Sequence, residues 1–365
     1  MLRPIVFAIA LALAPFSVQA ATSPSQPAKG AGGSDYAINV VAKRGLGQAA
    51  APVYVFHAAE DAKSPRPVVV ILPAWGVVNP SIYGGWIEHL ARRGNLVIFP
   101  RYQEVSRTRP ADATGFAAEM IRDTLAALAD DPQARPDKTR VAFLGHLAGT
   151  GVAANLAALA DGETLPEPKL VFALMPGGIA SDAKSRGIPL ADLSEIGEET
   201  LFVTMVGDRD HLPSQRQAQR LLKAASEIPP ERKLFMRALS DDHGFPTLTA
   251  TLASPGSPKD DYDAAKIKVP ADPPNDPKVQ RRVRQKWSAD MALTGEQSVL
   301  VSQMSSNMTD TLDWLAYWRT FDRLMETAFA GRDAKALRDD PTLADMGQWS
   351  DGWPVRRISV SSPAK

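Results

Sequence analysis

The chain has 365 residues with 41 basic and 41 acidic side chains, and the zero net charge disfavours a nucleic-acid or polyanion binder. It contains no cysteine, which excludes a disulfide framework, thiolate catalysis, zinc–thiolate sites and a lipid-anchored N-terminal cysteine. No segment repeats with a fixed period, and the length fits one large α/β domain.

The first twenty residues, MLRPIVFAIALALAPFSVQA, join one basic residue, Arg3, to an apolar run from Ile5 to Ala14. A proline-containing break and Val18-Gln19-Ala20 follow, with Ala21 next. That layout is a cleavable secretory signal over residues 1 to about 20, with an apolar core too short to span a bilayer. An exported protein, periplasmic or secreted, is the expectation, with no integral membrane segment later in the chain. Residues 21 to 35, ATSPSQPAKGAGGSD, have the composition of a disordered leader, and residues 36 to 365 are expected to form a single domain.

YAINVVAK and APVYVFHA predict two β-branched strands in an antiparallel hairpin, with RGLGQAA as the turn. From Pro67 onward, short continuous apolar runs alternate with amphipathic stretches. The runs are PVVVIL, NLVIFP, RVAFL, KLVFAL, TLFVTMV and KLFMRAL. The intervening stretches predict helices around SIYGGWIEHLARRG, ATGFAAEMIRDTLAALAD, the residues after Ala148, and PSQRQAQRLLKAAS. Uninterrupted apolar strands separated by helices predict a mostly parallel sheet covered on both faces, which is α/β architecture.

Residues 255 to 300 break the rhythm. They are rich in proline and charge and predict a surface excursion with at most one short helix; whether it covers a pocket is left open by the sequence. Within it, KVQRRVRQKW (278–287) concentrates basic charge and a tryptophan; a solvated helix is the plainer reading than an anionic surface contact. A helix follows in DTLDWLAYWRTFDRLMETAFAG, with Leu312, Leu315, Trp318, Phe321, Leu324 and Met325 on one stripe that reads as core. Gly331 is placed to end it. The tail MGQWSDGWPVRRISV, with two tryptophans, is expected to pack on the body of the domain.

The chemistry concentrates at GHLAG, residues 145 to 149, set between RVAFL and TGVAANLAALA. Strand, sharp turn and helix are the context of the G-x-S-x-G nucleophile turn, in which glycines two before and two after the apex let strand and helix backbones pass closely. Leu147 stands where serine belongs. After the elbow, TLFVTMVGDRDHLP places Asp210 beyond a strand end, with Asp208 as its rival, where an orienting carboxylate would lie. KLFMRALSDDHGFP then supplies His243 on a loop able to reach back as a base. His57 and His89 read as structural or surface residues, His146 as the variable position of the elbow, and His211 as lining the acid loop.

From about residue 37 to 330, this order of elements and motifs resembles the α/β-hydrolase superfamily, particularly its exported bacterial esterase/lipase-like branch. The resemblance implies a remnant triad of Leu147, Asp210 and His243. It also implies oxyanion donors at the N–H groups of Trp75 and Ala148 and a small ester-like or lipid-like ligand, with no cofactor and no metal. Pro73-Ala74 replaces the His-Gly usual in the loop after PVVVIL, a second departure. Leucine can neither attack nor exchange a proton, so turnover through an acyl-enzyme is not expected. Two alternatives stay open: water activated by His243 with Asp210 or Asp242 orienting it, or an ordinary esterase in which Leu147 is an error or a mutation. Thr150, three residues past the apex, is a poor substitute nucleophile. Metal binding by His243 with Asp241 or Asp242 lacks any supporting ligand spacing.

Overall fold

The computed structural model describes residues 20–60, 64–104, 108–182, 184–209, 211–272, 297–333 and 335–362. The expected signal segment and the basic stretch 278–287 therefore lie outside the described residues, as does Asp210.

Nine strands form one sheet: β1 Val41–Gln48, β2 Ala51–Ala58, β3 Arg66–Leu72, β4 Leu96–Pro100, β5 Pro136–His146, β6 Leu170–Leu174, β7 Leu201–Gly207, β8 Lys233–Ala238 and β9 Ser359–Ser361. Their spatial order is β1-β2-β4-β3-β5-β6-β7-β8-β9. Pairs from β4 through β8 are parallel, while β1/β2, β2/β4 and β8/β9 are antiparallel. This is the α/β-hydrolase fold, with the expected antiparallel hairpin at its N-terminal edge.

The hairpin differs from the sequence expectation in register. Val41 pairs with Ala58 and Gln48 with Ala51, so RGLGQ belongs to β1 and only Ala49 and Ala50 remain for the turn. Gly45 and Gly47 allow this. A Cβ on Gly45 would lie 2.6 Å from Val269 Cγ2, and Gly47 takes φ +75°, a region open to glycine.

The helices are α1 Gly84–Arg92, α2 Ala113–Ala127, α3 Ala148–Ala158, α4 His211–Ala224, α5 Gln297–Ser305, α6 Arg319–Phe329, α7 Lys335–Arg338 and α8 Pro341–Ala344, with a π-helical segment at Leu312–Trp318. Alternation along the strands feeds two cores. Val69 and Ile71 of β3 face Trp86, Ile87, Phe321 and Leu324, whereas Val68, Val70 and Leu72 face Ile121, Val152, Leu156 and Leu221. Each fully buried side chain of this size contributes about 1.5–3 kcal/mol, which holds helices to both faces. The predicted stripe Leu312, Leu315, Trp318, Phe321, Leu324 and Met325 is buried in the first core.

Two segments are more ordered than their composition suggests. Residues 21–35, expected to be a disordered leader, lie along the domain. Pro24 O accepts from Thr311 Oγ1 (2.7 Å) and Trp314 Nε1 (3.2 Å), and Asp322 accepts the Gly32 N–H (2.8 Å). Buried backbone groups that find partners offset the low apolar content of this stretch. The described part of the 255–300 excursion also packs. Ser257 O accepts from Gly85 N (2.8 Å), Pro255 O from Trp86 Nε1 (3.0 Å), and Tyr262 and Ile267 are buried. These contacts place it against α1 and β1. It contains two short 3-10 helices, Asp260–Tyr262 and Ala264–Lys266, and α5 begins at its end.

Candidate functional site

The turn at residues 145–149 joins β5 to α3 sharply, with Leu147 at its apex. Leu147 caps α3 at φ +50°, ψ −118°, a strained conformation that costs a non-glycine residue about 1–3 kcal/mol. Local hydrogen bonds hold it there. Its N–H donates to Leu174 O (3.1 Å), and its carbonyl accepts from Thr150 N (3.0 Å) and Thr150 Oγ1 (2.6 Å). None of these bonds uses the side chain of residue 147, so the turn does not depend on which side chain stands there. The Thr150 hydroxyl is fully buried and already committed.

The flanking glycines are sterically required. A Cβ on Gly145 would sit 2.7 Å from Gly149 O, and one on Gly149 only 2.0 Å from Leu72 O. The leucine side chain turns inward, 8% exposed, with Cδ2 3.4 Å from the place a Cβ would take on Gly177. A second non-glycine residue with positive φ, Met175 at +48°, ends the neighbouring strand β6 and is fully buried. Nothing in its sequence neighbourhood marked it.

The residue between Gly145 and Leu147 carries more structure than the sequence suggested. His146 is 1% exposed; its Nε2 meets Leu252 O at 2.8 Å and its Nδ1 meets Tyr83 Oη at 2.6 Å. The carbonyl fixes Nε2 as the donor, so the Tyr83 hydroxyl donates to Nδ1 and in turn accepts from Ala74 N (3.2 Å). The loop after β3, the helical turn after it and the 248–254 segment are thereby tied through one imidazole. Burial pushes the His146 imidazole down to about 4, against a smaller opposing contribution from the Leu252 carbonyl.

Because this folded value lies below the ordinary value of about 6.5, the unfolded chain takes the proton first. The stability that neutral His146 contributes is present above about pH 6.5 and is lost as pH falls through about 4, worth up to about 3 kcal/mol. Urea unfolding across that range should show native protein and His146→Gln close together near pH 4, with the gap widening toward pH 7. A constant gap would contradict the burial of a neutral imidazole.

The loop after β3 is held by buried side chains. Tyr102 Oη donates to Pro73 O (2.9 Å), Gln103 Nε2 to Ala74 O (2.8 Å), and Gly76 N donates to Gln103 Oε1 (2.7 Å). Trp75 is 3% exposed, and its indole N–H has no partner among the described residues. Ala74 N and Gly76 N are engaged, and no acceptor is found among the described residues for the backbone N–H groups of Trp75 and Ala148.

The remaining candidates are drawn to different partners. Asp208, just after β7, accepts from Ser240 N (3.0 Å) and Ser240 Oγ. His243 Nε2 meets Asp351 Oδ2 at 2.7 Å, its ring stacks on Trp353 at 5.5 Å and tilts against Trp349 at 5.8 Å. Asp241 is buried and fixes the tail, accepting from Arg356 N (2.8 Å) and Trp349 Nε1 (3.3 Å). No hydrogen bond among the described residues joins His243 to the elbow or to Asp208. Asp351, the carboxylate that does meet His243, belongs to the WSDGW turn, whose two tryptophans were visible in the sequence without their purpose.

A polar layer lies beneath the 248–254 segment. Tyr317 Oη and Ser254 Oγ are 2.6 Å apart, and Asn307 Nδ2 donates to Ala253 O (2.7 Å). Burial raises the Asp310 carboxyl to about 6 and the neighbouring Asp313 carboxyl well above its ordinary value. The π-helical segment turns Tyr317 into this layer, a geometry that often accompanies functional sites.

A cleft of about 760 Å³ opens elsewhere, between the β1–β2 hairpin and α2, lined by residues including Leu46, Val53, Phe116 and Met120. It does not touch the elbow. Among the described residues no three His, Cys, Asp or Glu side chains are grouped to hold a metal, and no helix is long and apolar enough to cross a membrane.

Solved structures with similar folds include an alpha/beta hydrolase enzyme from a Medee basin deep-sea metagenome library, 17% identical, covering 56% of this chain and 84% of that one at a TM-score of 0.44. Another is carboxyl esterase 2 from the mycorrhizal fungus Tuber melanosporum, 16% identical, covering 56% of this chain and 78% of that one at a TM-score of 0.41. No family model matches the chain, and neither does any curated protein.

Proposed function

We propose that this chain is an exported α/β-hydrolase-fold protein without serine-hydrolase turnover, a pseudoenzyme whose role is to bind a small ester-like or lipid-like molecule. The observation that carries the reading is Leu147 itself: a hydrocarbon side chain at the strained apex, turned inward against Gly177. The altered loop at Pro73-Ala74 supports it, because a second departure in the same machinery accords with relaxed catalytic demand.

Purified protein should hydrolyse short p-nitrophenyl esters no faster than buffer does; a saturable rate above buffer would overturn the reading. Leu147→Ser should stay equally silent, because no hydrogen bond among the described residues brings His243 or Asp208 to the elbow. A burst of p-nitrophenol from that variant would show that a base does reach residue 147. Identifying metabolites that co-purify with the native protein addresses the ligand directly.

One observation favours a second reading. His243 and Asp351 form an imidazole–carboxylate pair with side chains 31% and 50% exposed, an arrangement that can activate water. In that case native protein turns over ester, and His243→Ala abolishes the rate.

A further inference from the structure

The cleft between the hairpin and α2 has a chemistry of its own. Its volume of about 760 Å³ is that of a site for a small organic molecule. Leu46, Ala51 and Val53 of the hairpin pack in one apolar cluster with Phe116 and Met120 of α2, and together they give the cleft its floor. Gly47 lines it from β1 and Gly115 from α2. A Cβ on either would meet nothing within 4 Å, so the space beside each is open.

The charge at this cleft has one sign. Asp112, Glu119 and Asp123 line it, and among the described residues no lysine, arginine or histidine does. They fall four residues before Phe116 and three and seven after it, with Asp112 at the N-cap, so helical periodicity gathers them around that half-buried ring. Glu119 and Asp123 are also a like-charge pair one turn apart, an arrangement that destabilises a helix and that a cation between them relieves. Arg44 of β1 is already committed, to Asp131 at 2.7 Å.

We propose that this cleft binds an organic cation carried on an apolar body, an alkyl or aromatic ammonium. Its body lies between the hairpin and the Phe116–Met120 stripe, and its head sits over Phe116 among Asp112, Glu119 and Asp123. The head gains from the ring as well as from the carboxylates, because the negative face of an aromatic ring attracts an ammonium within about 6 Å of its centroid. Met120, unbranched and polarizable, adapts the floor to bodies of different shape. A fatty-acid anion of the same length meets three carboxylates of its own sign, so the site selects by charge. The inference does not rest on the reading of the elbow, which this cleft does not touch.

The test is titration calorimetry with decyltrimethylammonium below its micelle concentration, which should show one saturable site. Decyl sulfate at matched ionic strength should bind on the order of tenfold more weakly, and high salt should narrow that difference. Tetramethylammonium, the head alone, should show no saturation over the same range, because it buries almost no apolar surface. Glu119→Gln combined with Asp123→Asn should weaken the cation by about threefold to tenfold and leave the melting temperature of the free protein unchanged or raised. Gly115→Trp fills the cleft at a helical position with room for a side chain, and it should abolish binding while circular dichroism stays native.

Equal affinity for the two decyl probes would overturn the proposal, as would cation binding that survives Gly115→Trp in a natively folded protein. Tetramethylammonium binding as tightly as the long chain would do the same, since the apolar floor would then play no part. Should Gly115→Trp fail to fold, the charge variant decides, and unchanged cation affinity there overturns the site.

Discussion

Gly149→Ala is expected to cost about 3–5 kcal/mol of stability or to prevent accumulation of folded protein, the largest effect of any single methyl group at the site. The added carbon would stand 2.0 Å from Leu72 O and 2.8 Å from Pro73 O, both backbone atoms of the strand end and loop that α3 packs against. No side-chain rotation relieves such a contact, so β3 and α3 must separate. Gly115→Ala is the matched control. It lies in α2 with nothing within 4 Å of the new carbon, and it should be neutral or stabilising by up to about 1 kcal/mol. Urea unfolding of both variants reads the contrast. Equal small effects would mean that elbow and strand are not in the close approach described.

Asp322→Ala should be comparably severe, about 3–5 kcal/mol, because it strands partners that are themselves buried. The carboxylate is 2% exposed, accepts from His89 Nε2 (3.0 Å) and Gly32 N (2.8 Å), and pairs with Arg93 Nε at 3.3 Å. His89 Nδ1 in turn meets Tyr36 Oη at 3.0 Å, and Gln26 Nε2 donates to that hydroxyl, so one deletion loosens the chain from residue 26 to residue 36. Limited proteolysis should then cut this segment first, ahead of global unfolding. A variant that unfolds within 1 kcal/mol of native and resists cleavage there would show that the pair contributes little.

The elbow was legible because its demands are local. Two glycines, a strand before and a helix after are all set within about a dozen residues, and steric exclusion leaves few alternatives to glycine at 145 and 149. The sheet was legible for a similar reason, since strands buried on both faces leave continuous apolar runs such as VVVIL and FVTMV. The partners of the polar residues were not. His243 meets a carboxylate 108 positions away, and His89 meets one 233 positions away, in stretches whose composition marks turn and helix respectively. Neither aspartate differs in type or spacing from the solvated acids around it.

The same holds for the leader. Its proline and glycine content disfavours a helix or a strand, but it does not exclude an extended strap fixed by backbone bonds such as those at Pro24 O and Gly32 N. His146 shows the converse. Read along the chain it is the unspecified letter of a motif, yet in three dimensions it joins Tyr83 and Leu252 across the covered face of the elbow.

The most direct test of the central claim is covalent. Native protein incubated with excess fluorophosphonate probe and weighed intact should show no added mass, because the apex of the turn at residue 147 offers hydrocarbon where a hydroxyl would attack. Stoichiometric addition of one phosphonate, mapped by peptide sequencing to a serine or threonine whose labelling His243→Ala abolishes, would contradict it.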